Sequence, residues 1–216
     1  MMFRSSLILV AAAALVSLAG CRVSVTAAPP PKVPHAPAPH ASSRHASSRA
    51  SDASRVSGGK SGLVVIHDPG HVTGTLTHAC HYRDGGQLPD PTCTPGSIDP
   101  AVTQANIHQT ICVSGYTKTV RPPSSDTERF KFDVAYPEYG TPRSEKTELD
   151  HLVSLELGGS NDAANLWPET PPTPNPKDKV ENALHAAVCD GQVSLAAAQR
   201  AIARDWITAE ATLGIS

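Results

Sequence analysis

From Ala27 to Gly59 the chain offers nothing that a core could use. Pro29-Pro30-Pro31, Pro34, Pro37 and Pro39 are followed by the near-repeat Ala41-Ser42-Ser43-Arg44-His45-Ala46-Ser47-Ser48-Arg49. A stretch so rich in Pro, Ser and Ala, and so poor in large apolar side chains, cannot bury enough surface to offset the entropy of ordering it. The sequence therefore predicts a disordered, partly polyproline tether over residues 21–60. Of 216 residues, about 155 remain for packing, which is enough for one domain. With 20 Pro, 15 Gly and aromatics at 4%, collagen, coiled-coil and polytopic membrane architectures are excluded. A loop-rich α+β domain is what remains.

Ahead of the tether, Met1-Met2-Phe3-Arg4 and an apolar run from Leu7 to Leu18 have the regions of an export signal, and the run is too short to span a bilayer. Leu18-Ala19-Gly20-Cys21 resembles the lipobox of bacterial lipoproteins. The resemblance implies cleavage of a signal peptide over residues 1–20, lipid on Cys21 and anchoring to the outer face of the cell membrane. Four cysteines are then left for an oxidising compartment: Cys80, Cys93, Cys112 and Cys189. Three pairings are open to them. Cys80 with Cys93 and Cys112 with Cys189 is the favoured set, because the short first loop closes easily.

Charge is divided unevenly. Residues 22–60 carry six Lys/Arg against Asp52 alone, a net of +5, whereas residues 61–216 carry eleven basic and nineteen acidic side chains, a net of −8. A domain of that sign has no broad basic field for nucleic acid, so any such binding must come from a local site.

Local patterning predicts strands over 63–66, 72–77, Tyr116–Val120 and Phe130–Tyr136, with disulfide-held turns from Cys80 to Pro100. A short helix is expected from Asp99-Pro100 to Ile111. Two further helices are expected over Lys177–Val188 and Leu195–Thr208, the first opened by Asn175-Pro176 and the second capped by Ser194. Phe130, Phe132, Tyr136 and Tyr139 could form a stacking platform but are better read as core.

The segment that carries chemistry runs from Glu148 to Glu169. An adjacent carboxylate and imidazole, Asp150-His151, precede the turn Gly158-Gly159, and Asn165 follows fourteen residues after the histidine. This pattern, with LELGG and NLWPE around it, resembles the HNH motif of the ββα-metal (His-Me finger) nucleases. The likeness covers roughly residues 144–188. More broadly, residues 66–216 resemble exported bacterial proteins with this module, whose CTPG, VTQANI, TIC and VRPP segments also occur here. A disulfide-containing strand and turn region over 61–143 would precede an HNH-like module and C-terminal helix over 144–216.

The resemblance implies a phosphodiesterase acting on DNA or RNA, with His151 as general base and Asp150 as a ligand of one divalent ion. Mg²⁺ or Mn²⁺ suits such a hard oxygen donor best, with Zn²⁺ an alternative. Asn165 matches the asparagine that pins the loop. Pro174 stands where a second ligand is usual, so Asn175 is the choice for that role, with His185 as runner-up. Asn175 is equally readable as a helix cap, and His185 as a solvated helix residue. Lys177 and Lys179 could contact the scissile phosphate. The chain is read as a monomer. Competing readings are a non-catalytic envelope lipoprotein on a degenerate scaffold, and a polysaccharide hydrolase using Glu148, Asp150 or Glu156.

Overall fold

The computed structural model describes residues 62–67, 70–170 and 175–215. The expected signal peptide, Cys21 and tether lie outside the described residues. The architecture is α+β, with short strands, helices and two disulfides. Strand β1 (Val64–Val65) pairs in parallel with β2 (Ser97–Ile98), and β3 (Glu148–His151) pairs antiparallel with β4 (Leu166–Glu169). Helix α4 (Lys177–Cys189) follows β4. Helices α5 (Leu195–Asp205) and α6 (Ala209–Leu213) complete the chain.

Both disulfides join the favoured partners, Cys80 to Cys93 and Cys112 to Cys189. The second closes a loop across 77 residues and ties α4 to the turn ending at Cys112. It links residues on either side of position 144.

Several expected elements differ. Tyr116–Val120 is a helix, α1, rather than a strand. Gly115 at φ 86° turns the chain into it, the Thr119 hydroxyl bonds the Tyr116 carbonyl, and Arg121 is held extended by Pro122, which stops it. Phe130–Tyr136 is also helical. Helix α2 (Ser124–Phe130) continues through a π turn, Lys131–Ala135, into α3 (Tyr136–Tyr139). The alternation of Phe130, Phe132, Val134 and Tyr136 imitates a strand, yet the buried positions are Phe130, Lys131, Ala135, Tyr136 and Tyr139, a helical spacing widened by the π turn. Phe130, Tyr136 and Tyr139 are core, as expected of them, and Phe132 is half-buried.

Residues 72–77 make only an isolated bridge, Thr73 to Asp162. The helix expected from Asp99 to Ile111 shrinks to a single 3₁₀ turn, Ile107–Gln109. Asp99 accepts from the Ala101 amide, and Asn106 accepts from Thr103 while donating to Ala101; such local bonds compete with a helical ladder. Helix α5 ends earlier than Thr208, because the Asp205 carboxylate accepts from the Ile207 amide and restarts the chain as a 3₁₀ turn.

Two apolar clusters form the core. One gathers Val180, Leu184 and Val188 of α4 with Ala198 and Ile202 of α5, Val153 and Leu157. The other gathers Phe130, Tyr139, Leu152, Leu166 and Trp167 with the Cys80–Cys93 bridge. Leu152 and Val153 are consecutive and bury in different clusters, so the end of β3 is clamped from both sides. That clamp positions the residue just before it, His151.

Candidate functional site

Alternation along β3 puts Glu148 and Asp150 on one face, and their cross-strand partners Glu169 and Trp167 join them. The Trp167 indole donates to Asp150 Oδ2 at 2.9 Å. Helix α4 packs against this hairpin and delivers Lys177, whose side chain is 1% exposed. Its ammonium reaches Asp150 Oδ2 at 2.9 Å, the His151 carbonyl at 2.9 Å and a Glu181 oxygen in very close contact. All three N–H donors of Lys177 are thereby engaged, so its expected phosphate contact is not how the structure uses it. Lys179 is exposed on α4.

The carboxylates outnumber this one cation. Glu148 and Glu169 stand directly opposite across the hairpin, and Glu169 is 1% exposed with its Oε1 lacking a hydrogen-bond partner. Burial, reinforced by the Asp150 charge, pushes Glu169 up to about 9. Burial also raises Glu181 to about 7, with Lys177 opposing, and burial raises Glu148 with Asp150 adding to it. Burial pulls the Lys177 ammonium down, but Asp150, Glu181 and Glu169 together outweigh it and hold the charge on.

His151 is 7% exposed. Its Nε2 lies 2.7 Å from Asn161 Oδ1, while Asn161 Nδ2 donates to the Val120 carbonyl at 2.8 Å. A carbonyl can only accept, so it fixes the Asn161 amide with its oxygen toward the imidazole. Nε2 must then carry the proton, and Nδ1 holds the lone pair in the neutral ring. Burial lowers the His151 pKa despite the Asn161 bond, which keeps the ring neutral near pH 7.

Asn165, fully buried, makes four hydrogen bonds. It accepts from the Val153 and Ser97 amides and donates to the Val153 and Ser160 carbonyls. The Gly158-Gly159 turn is required for this. Gly158 has φ 73°, and a Cβ there would strike Val102, while one on Gly159 would strike the Val153 carbonyl and the Asn165 amide.

Two cavities meet at His151. A cleft of about 130 Å³ is lined by Glu148, Asp150, His151, Glu156, Asp178 and Glu181, with Arg121 at its side. A larger groove of about 490 Å³ runs from His151 past Arg121 to Lys131 and Lys146. The two other residues expected near a metal do not line the cleft. Asn175 Oδ1 accepts from the Lys177 amide at 3.0 Å, which is a helix-capping bond. His185 bonds the Ile111 carbonyl at 2.9 Å and lies against Cys189, outside the carboxylate cleft. Cys112, His185 and Cys189 have the proximity of a metal cluster, but both sulfurs belong to a disulfide and are not thiolates.

Sequence reasoning missed Asn161, Glu169 and the inward use of Lys177. Asn161 sits ten residues past His151 in a polar run that looked like loop, and Glu169 closes NLWPE, where its burial could not be read from type. Comparison of the chain with protein-family models, with curated proteins and with solved structures finds no match.

Proposed function

We propose that this chain is an exported HNH-type phosphodiesterase that hydrolyses DNA or RNA, with His151 as general base. The observation that carries the reading is the orientation of His151. A neutral imidazole, fixed by Asn161 with Nδ1 as its lone pair, borders both a carboxylate cleft and a groove with cationic side chains. Nδ1 takes a proton from water, the water oxygen attacks phosphorus, and the P–O bond opposite it breaks. The leaving oxygen then collects a proton from solvent. The nearby Asp150 carboxylate favours the imidazolium formed in that step. Asn165 keeps the loop, and with it the Asn161 amide, in place.

The cleft fits a hard divalent cation, since its donors are carboxylate oxygens and two acids nearby, the half-buried Glu156 and the buried Glu169, each have a buried oxygen without a hydrogen-bond partner. Asp150 with Glu148, Asp178 or Glu181 would hold it, rather than Asn175 or His185. When bound, such an ion supplies charge stabilisation for the leaving oxygen. Lipid on Cys21 would keep the enzyme at the outer membrane face, in agreement with two disulfides in the domain.

One observation favours the non-catalytic alternative. Lys177 and Trp167 both engage Asp150 Oδ2, which leaves this carboxylate less free to bind a metal. Plasmid nicking by the purified chain, with Mg²⁺, Mn²⁺ or Zn²⁺, separates the two. Nicking abolished in His151→Ala supports the enzyme, and equal nicking by both proteins, or none by either, supports the binding module.

A further inference from the structure

Lys131 is a charged residue in an expensive place. It is 7% exposed, opens the π turn, and holds its ammonium 5.0 Å from the Phe132 ring centroid and 5.8 Å from that of Tyr136. Contact with aromatic faces recovers only part of the hydration that an ammonium loses. Among the described residues no carboxylate reaches it at salt-bridge distance, and the same holds for Arg121, Arg143 and Lys146. Four cations without a carboxylate at that distance therefore stand in one neighbourhood of a domain with eight more acids than bases. Three of them, Arg121, Lys131 and Lys146, line the groove that ends at His151. Arg143 lies beside it with its guanidinium 3.8 Å from the Phe132 centroid.

We propose that this groove binds a single-stranded polynucleotide, with Lys131 contacting a phosphate that flanks the bond presented to His151. The inference rests on the phosphodiesterase reading and names its substrate path. Glu128, Glu145 and Glu148 also line the groove, but among the described residues none of them is at salt-bridge distance from Lys131, Arg121 or Lys146, which leaves these cations to meet a phosphate chain. Ser124 and Thr147 add hydroxyl groups to the lining of the groove. A π turn at its edge fits the frequent use of such turns at binding sites.

The test measures binding of fluorescent dodecathymidine to the full chain carrying His151→Ala, in EDTA, from 50 to 200 mM salt. Each phosphate contact on a single strand contributes about 0.7 to the slope of log affinity against log salt. Lys131→Gln should weaken binding and lower the slope by about that amount, and Lys131→Arg should restore it. Should Lys131→Gln fail to fold, the double variant Arg121→Gln/Lys146→Gln, at exposed positions, should lower the slope by about twice as much. An unchanged slope in the variants overturns the proposal. So does an equal loss of binding to phosphatidylglycerol vesicles, which would make the groove a membrane contact. The outcomes for the two readings are distinct. Lys131-dependent binding without nicking by the wild type removes the hydrolase and leaves the groove, whereas nicking with unaltered KM in Lys131→Gln removes the groove and leaves the hydrolase.

Discussion

The two cavities that share His151 treat a buried lysine in opposite ways. Beside the cleft, Lys177 is locked by three oxygens, two of them from carboxylates that line it. In the groove, Lys131 is nearly as buried and holds its ammonium over two aromatic rings, with no carboxylate at salt-bridge distance among the described residues. The same residue type is thus structural cement on one side of the histidine and an unanswered charge on the other. The difference separates two surroundings: carboxylates gather about the lysine at β3 and α4, and aromatic rings lie against the one at the π turn.

Replacing both lysines by Met offers the largest contrast. Lys177→Met removes the cation held by Asp150 and Glu181, and breaking a buried charge network from one side costs about 3–5 kcal/mol. Urea unfolding at pH 8 should show that loss, reduced at pH 5, where more of the stranded carboxylates are protonated. Lys131→Met strands no partner and should change stability by less than about 1 kcal/mol. Similar losses in both variants would erase the distinction between the cavities.

Next in size is Asn165→Ala, which tests what keeps the cavities apart. Four backbone groups lose their partner at once, in a site with no exposure, and stability should fall by about 3 kcal/mol. Nicking should fall with it, because the loop carrying Asn161 loses its anchor. A stable protein with full activity would show that the Gly158-Gly159 turn holds the loop by itself.

Much of this was readable in the residues beforehand, and the limits are physical. Helices α4 and α5 announced themselves through apolar spacing and caps, because both are amphipathic and bury one face. An even cysteine count implies two bridges but leaves three pairings open, and the structure has the one that loop length favours, Cys80–Cys93 with Cys112–Cys189. The helical stretch from Ser124 to Tyr139 was hidden, since aromatic residues at every second position also suit a strand, and the π turn shifts the helical period. In the site, Asp150, His151 and Asn165 were marked by their spacing. Lys177 was found but assigned outward, because a sequence does not tell which way a lysine on a helix's first turn points. Glu169 was invisible as an anomaly until burial placed it opposite Glu148.

A purely pH-dependent effect, absent at low pH and growing toward pH 9, is expected from Glu169→Gln. The folded protein holds Glu169 near 9, against an ordinary value of 4.5. The group is therefore protonated in both folded and unfolded chains below pH 4.5, and its contribution to stability is lost as pH rises from there toward 9. Gln mimics the protonated acid. Unfolding in EDTA should find the variant and wild type alike at pH 3.5 and the variant more stable at pH 9; parallel pH curves would mean that Glu169 is ionised, and the cleft less crowded with charge than the carboxylate count implies.

The smallest effect belongs to Asn175, whose residue type allows both metal binding and capping. Its Oδ1 accepts from the Lys177 amide at 3.0 Å, one of the backbone donors that a helix start leaves without an intrahelical partner. Removing a cap of this kind costs about 1 kcal/mol. Asn175→Ala should therefore lower stability by that amount and leave Mn²⁺ affinity, measured by calorimetry, within about twofold of wild type. Asp150→Ala in the same experiment should lose the ion. Because Lys177 leaves from the same first turn, a frayed cap would also loosen its ammonium from Asp150, and some strengthening of Mn²⁺ binding is the direction expected of that. A loss of affinity in Asn175→Ala as large as in Asp150→Ala would instead make Asn175 a ligand, extend the cation site to the start of α4, and end the division of labour in which only carboxylates serve the cleft.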